Sequence, residues 1–138
     1  MAGLFAGCGG LEYGFAEVGF TSLWSNEIEA SAASSYESLL GSTCVVDDFL
    51  NISNVIPETD VLIGGPPCQS FSLVGRRNPD DIRGELVFGF LEAIRTLKPY
   101  AFVMENVAGI ASSEINGERL PTYLAREFEG IGYSVTIE

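Results

Sequence analysis

The chain has 138 residues, 46% of them hydrophobic, with 19 acidic and 7 basic residues, three cysteines and no histidine. That length holds one domain with a sizeable core; no apolar run approaches the ~20 residues of a membrane span, and no basic segment leads into an apolar stretch as in a signal peptide. The missing histidine excludes His-based general bases and most metal ligation, three cysteines without CxxC spacing argue against a disulfide framework, a zinc site or a thiol redox pair, and a net charge of −12 leaves little basic surface for nucleic-acid phosphates.

Leu4-Phe5-Ala6 reads as the end of a first strand. Gly7 to Gly10 then turn the chain into a helix over residues 11–18, with Leu11, Phe15 and Val18 on one face. Residues 21–25 read as a second strand and 30–40 as a second helix, with Tyr36 and Leu40 four apart. Residues 43–46 form a short third strand and 61–63 a fourth. A helix over 86–97 carries Phe90, Leu91, Ile94 and Leu97 at helical spacing, and Pro99 stops it ahead of a fifth strand at 101–104. Residues 120–130 are helical, and Gly132 opens a last strand at 133–137. Strands alternating with helices predict an α/β fold with a doubly wound, mostly parallel sheet.

Ligands in such sheets sit at the carboxyl ends of the strands, and there the polar segments fall. Gly7-Cys8-Gly9-Gly10 lets the backbone approach a ligand and aims helix N–H groups at it. Glu27, some 20 residues on, is placed for ribose hydroxyls, or it is a surface carboxylate. Asp48 could accept from an exocyclic amine, or Asp47 and Asp48 are an exposed acidic pair. The turn is not the full GxGxxG fingerprint and no phosphate-binding lysine follows, which favours an adenosine-type ligand without a pyrophosphate. Gly64-Gly65-Pro66-Pro67-Cys68-Gln69-Ser70-Phe71-Ser72 delivers one thiol on a stiff backbone. Arg76, Arg77 and Arg83 cluster just beyond it, as a solvated loop or a phosphate contact. Glu105 follows an apolar strand, so desolvation is expected to raise its pKa and fit it to proton donation or to hydrogen bonding with a ring nitrogen. Asn106 beside it can hold the turn.

These segments, in this order, resemble the amino-terminal part of a DNA cytosine-C5 methyltransferase. The resemblance is carried by Leu4-Phe5-Ala6-Gly7-Cys8-Gly9-Gly10-Leu11 with Gly14-Phe15, by Asn26-Glu27, by the stretch from Gly64 to Ser72, by Arg83-Gly84-Glu85-Leu86, by Lys98-Pro99 and by Glu105-Asn106-Val107. It implies an S-adenosylmethionine-dependent, Rossmann-like fold that is incomplete at its C-terminal side. It also implies that the 138 residues are a partial catalytic domain without a target-recognition domain. Cys68 would be the thiolate that adds to cytosine C6, and Glu105 would contact N3 and the exocyclic amine. S-adenosylmethionine would lie along Phe5, Gly7, Cys8, Gly9, Gly10 and Leu11, with Glu27 on ribose, Ile28 against adenine, Asp48 and Phe49 at the adenine amine and ring, and Pro67 and Leu86 completing the wall. Gln69, Ser70, Arg76, Arg77, Arg83 and Asn106 would face the substrate, and residues 71–85 would be a mobile loop with hinges at Gly75 and Gly84.

The implied partner is double-stranded DNA with a flipped cytosine, and a second chain could supply the missing motifs. The implied location is bacterial or phage-associated cytoplasm, or the nucleoid, with no membrane. The family usually has an acidic residue just before Leu4-Phe5, where this chain has Gly3. Two other readings accompany the resemblance: a non-catalytic S-adenosylmethionine-binding remnant or subunit, and a relative acting on cytosine in RNA.

Overall fold

The computed structural model describes residues 1–67 and 82–138, with 82–85 described by their backbone alone. Five parallel strands form one sheet in the order β3-β2-β1-β4-β5: β1 (Ala2–Leu4), β2 (Trp24–Glu27), β3 (Cys44–Val46), β4 (Val61–Gly64) and β5 (Ala101–Met104). Helices α1 (Gly10–Glu17), α2 (Ala30–Leu40), α3 (Phe49–Ile52), α4 (Ile82–Leu97) and α5 (Leu120–Ile131) connect and cover them. A 3-10 turn at Ala108–Ser112 and a two-stranded hairpin, β6 (Glu114–Ile115) and β7 (Glu118–Arg119), precede α5. The chain runs outward from β1 to β3, then returns to β1's other side at β4. This reversal opens a crevice between β1 and β4, where a doubly wound sheet takes its ligand.

The apolar pattern explains the packing. Leu62 and Ile63 of β4 are wholly buried, as are Ala2 and Leu4 of β1. The main core packs Ala2, Leu4 and Leu62 with Val87, Phe90 and Ile94 of α4 and with Leu120, Leu124 and Phe128 of α5. Each large side chain so buried contributes roughly 1.5–3 kcal/mol. A second, smaller cluster joins Ala33 and Tyr36 of α2 to Cys44 of β3. α5 ends on Gly132 in the left-handed region (φ 113°), where Gly132 N–H donates to Glu129 O and Tyr133 N–H to Phe128 O. That pairing satisfies carbonyls the helix end would otherwise leave open.

Several expectations are corrected. β1 is Ala2–Leu4, because Phe5 leaves the strand with φ 55°. β2 begins at Trp24, where its partner begins: Ala2 pairs with Trp24 and Gly3 with Ser25. Residues 133–137 are not a strand among the described residues, since no ladder partner lies beside them. They keep the alternation of a strand, with Tyr133 and Val135 half-buried against the core, and Tyr133 OH donates to Pro99 O at 2.6 Å. Residues 82–85, including the expected hinge Gly84, form the first turn of α4 rather than a loop. α1 buries Glu12, whereas Val18, expected on one face with Leu11 and Phe15, is 74% exposed.

Candidate functional site

The site starts where β1 runs out. Phe5 takes a left-handed backbone (φ 55°), as do Gly7 (φ 55°) and Gly9 (φ 86°). This is costly for a bulky residue and natural for glycine. Ala6 N–H donates to Asn26 O, and Gly9 N–H to Ala6 O, each at 2.9 Å. Gly9 has a second constraint, because a Cβ there would sit 2.8 Å from the Tyr36 ring of α2. Tyr36 is itself fixed by hydroxyl bonds to Ser25 (2.6 Å) and Ser22 (2.7 Å).

Glu27, the last residue of β2, reaches across to this turn. One carboxylate oxygen accepts Gly7 N–H at 2.8 Å and the other accepts Glu29 N–H at 2.9 Å. The carboxylate is therefore oriented by main chain on two sides and keeps lone pairs for a ligand. Ile28 next to it is 60% exposed, an open apolar surface. Asp48 caps α3 by accepting Leu50 N–H at 3.0 Å. Phe49 is buried, its ring 5.0 Å from that of Phe5 and pressed on Gly89, where a Cβ would lie 2.5 Å away. It can offer a ligand little more than an edge.

The other wall comes from β4 and β5. Glu105 N–H donates to Gly64 O at 2.9 Å. The Glu105 carboxylate lies along Gly65, 3.0 Å from where a Cβ would be. Asn106 Nδ2 donates to Pro66 O at 2.8 Å, while its Oδ1 accepts Val107 N–H at 2.9 Å. The backbone leading into Pro67 is thus fastened to the end of β5. Cys68, Gln69, Ser70, Arg76 and Arg77 lie outside the described residues, as does the side chain of Arg83.

Between the walls is a cavity of about 360 Å³ lined by Leu4, Phe5, Ala6, Leu11, Glu12, Gly64, Gly65 and Glu105. Of the expected site residues, Phe5, Leu11 and Glu105 line it. Glu27 joins through Gly7, while Cys8, Gly9, Gly10, Ile28, Asp48, Phe49, Pro67 and Leu86 stand outside its lining. Among the described residues no group of three or more metal-ligating side chains is present.

Sequence reasoning missed Glu12. A glutamate between Leu11 and Phe15 reads as the polar face of an amphipathic helix, yet its side chain is wholly buried and neither oxygen has a hydrogen-bond partner among the described residues. Desolvation was expected at Glu105, but Glu105 is exposed and Glu12 is the buried carboxyl. Burial pushes the Glu12 pKa from the usual 4.5 up to about 7; its own backbone N–H, short of hydrogen-bond geometry, lowers it in part, and Glu27 raises it further. Only a Gly3-like residue tolerates this arrangement, since a Cβ at position 3 would lie 2.1 Å from Glu12 Oε1. The carboxyl occupies the space that a side chain on β1 would fill.

A stability profile follows. With the folded pKa above the unfolded one, the folded state binds the extra proton between about 4.5 and 7. Stability from this group is full below pH 4.5 and is lost as pH rises through about 7, by on the order of 3 kcal/mol. Glu12→Gln should remove that slope, so wild type should lose melting temperature relative to the variant between pH 5 and pH 8. Parallel curves for the two proteins would show that Glu12 does not titrate in the fold.

Comparison with known proteins adds to the geometry. A family model described as C-5 cytosine-specific DNA methylase matches residues 1–138. The type II methyltransferase M.DdeI of Desulfomicrobium norvegicum is 34% identical over 97% of this chain and 34% of its own length. M.NgoPII of Neisseria gonorrhoeae is 36% identical over 97% of this chain and 40% of its own. The chain therefore spans little more than a third of these relatives. In the solved structures, a prophage-encoded E. coli protein described as a DNA modification methyltransferase superimposes with a TM-score of 0.69 at 29% identity, over 94% of this chain and 37% of that one. The Dnmt2 methyltransferase of S. pombe, at 20% identity and a TM-score of 0.64, shares the fold over 94% of this chain and 40% of its own.

Proposed function

Because the chain belongs to the C-5 cytosine-specific DNA methylase family, we propose that it forms the cofactor-binding and catalytic part of a DNA (cytosine-5-)-methyltransferase. The observation that carries this reading is the convergence at the β1–β4 crevice. There the Glu105 carboxylate lies against Gly65 and Asn106 grips Pro66, three and two residues ahead of Cys68 in the sequence, beside the turn held by Glu27.

The residues present suit S-adenosylmethionine. The lining includes Glu12, whose buried carboxyl is unpartnered among the described residues and suits a cationic ligand, and the neighbouring turn is held by an acidic residue with free lone pairs. When bound, that cofactor supplies an electrophilic methyl group. Glu27 would hold the ribose hydroxyls, Ile28 the adenine face, and Asp48 the adenine amine. Cys68, as thiolate, adds to C6 of cytosine and makes C5 nucleophilic. C5 takes the methyl group, then loses its proton as the thiolate leaves C6. Glu105 hydrogen-bonds N3 and the exocyclic amine and favours the ring as charge develops. A base stacked in a duplex is out of reach, so the cytosine must be turned out. Gln69, Ser70, Arg76, Arg77 and Arg83 would face the extruded nucleotide and its phosphates. Seven basic residues against 19 acidic ones leave few further contacts for DNA phosphates. Sequence-reading contacts would come from elsewhere in the enzyme or from a second chain. Such an enzyme would work in the cytoplasm, where the DNA is.

Glu27→Ala should weaken S-adenosylmethionine binding by 10- to 100-fold, the loss of charged hydrogen bonds of about 1.5–3 kcal/mol. Titration calorimetry of the folded variant measures this, and unchanged affinity would remove Glu27 from the ribose.

A further inference from the structure

We infer that Glu12 is the counter-charge for a cationic group of the methyl donor, carried beside the β1–β4 cavity that it helps to line. This rests on the reading that the cavity takes S-adenosylmethionine. Glu12 is 0% exposed, lines that cavity, and has no hydrogen-bond partner on either oxygen. Buried carboxyls in folded proteins are normally satisfied, so one left unpartnered beside a cavity is available to a donor or a cation.

The placement is built in by two elements. α1 directs the side chain over β1, and Gly3 leaves the room: a Cβ there would be 2.1 Å from Oε1 and 3.0 Å from Cδ. The Ser25 hydroxyl lies on the same side, 3.0 Å from that Cβ position, but it is engaged with Tyr36 OH at 2.6 Å. The titratable groups around Glu12 are Glu27 from β2, Tyr36 from α2, Cys44 from β3 and Glu105 at the cavity wall. Burial, with Glu27, Glu12 and Glu37 nearby, pushes the Cys44 thiol up to about 11, and burial, with Glu12 and Cys44 nearby, raises the Tyr36 phenol as well. None of these groups is a cation, so no described residue neutralises Glu12.

S-adenosylmethionine carries a sulfonium and an α-ammonium. Either one, beside Glu12, favours the ionised carboxylate, and the carboxylic proton passes to the buffer on binding. With a sulfonium partner, methyl transfer leaves a neutral thioether and the counter-charge loses its partner. Product would then be held less tightly than donor. With the ammonium as partner, donor and product are held alike.

The test is calorimetry of the intact chain with S-adenosylmethionine in two buffers of different ionisation enthalpy, from pH 5.5 to 8.5. About 0.9 proton should be released per cofactor at pH 6 and about 0.1 at pH 8. Glu12→Gln should abolish the release and weaken binding at pH 8 at least tenfold, whereas Glu105→Gln should leave the release in place. The wild-type pH series stands even if the Gln variant folds poorly. Release with S-adenosylmethionine but not with S-adenosylhomocysteine upholds the inference and assigns the sulfonium. Release with both upholds it and assigns the ammonium. Binding without release, or release unchanged in Glu12→Gln, overturns it. No binding by the wild type overturns the cofactor reading and this inference together.

Discussion

Serine in place of Cys68 is expected to reduce methyl transfer by the full-length enzyme by on the order of 10⁴-fold or more, the scale of losing a covalent nucleophile. S-adenosylmethionine affinity should stay within about twofold. A thiol titrating near ~8.5 offers a few per cent thiolate at pH 7, and thiolate is intrinsically very nucleophilic. A serine hydroxyl offers no comparable anion, and no histidine exists in the chain to activate one. The described backbone ahead of Cys68 is anchored. Glu105 is anchored by its own N–H on Gly64 O, and Asn106 holds Pro66. DNA with 5-fluorocytosine at the target should form a denaturation-stable adduct with wild type, because fluorine at C5 blocks the proton loss that frees the thiolate. Cys68→Ser should form none. Retention of a tenth of the activity by the variant would end the nucleophile assignment.

The largest effect on stability is expected from Gly64→Val. A Cβ at Gly64 would lie 2.6 Å from Leu4 O, 3.0 Å from the Phe90 ring and 3.2 Å from Leu4 Cβ. The oxygen belongs to the backbone of β1, which pairs with β4 at this position. It cannot rotate away as a side-chain tip would. Separating β1 from β4 would open the crevice and disturb the core at Phe90 in one move. Overpacking of this kind costs about 1–3 kcal/mol, and more where backbone must shift. For a domain of this length that is a melting-temperature drop of roughly 10 °C. A melt within 2 °C of wild type would mean that the two strands have slack the geometry does not show.

Much of this was legible beforehand. Residues 30–40 and 101–104 read as the helix and strand they are: Tyr36 and Leu40 stand four apart in the helix, and Pro99 precedes the strand. The glycine turn, Glu27 and Glu105 fall where a doubly wound sheet gathers its polar residues, so the site's position came with the fold class. What escaped was tertiary. Four-residue α3 carries no helical period, although Asp48 ahead of Phe-Leu-Asn-Ile is a capping signal. The alternation in residues 133–137 could not reveal that no strand lies alongside. Glu12 was invisible because burial of a charge depends on what a neighbouring strand omits, in this case the side chain of Gly3.

Phe5 holds a lesson for anyone altering this chain. Its backbone sits in a conformation that disfavours a bulky residue by about 1–2 kcal/mol, and its ring stands against Phe49 at the cavity wall. Glycine would relax the torsion and forfeit the ring, so the two effects oppose each other in thermal tolerance. Selection for robustness alone would find the position nearly indifferent. Ligand capture is a different matter, since the ring that glycine would remove lines the cavity.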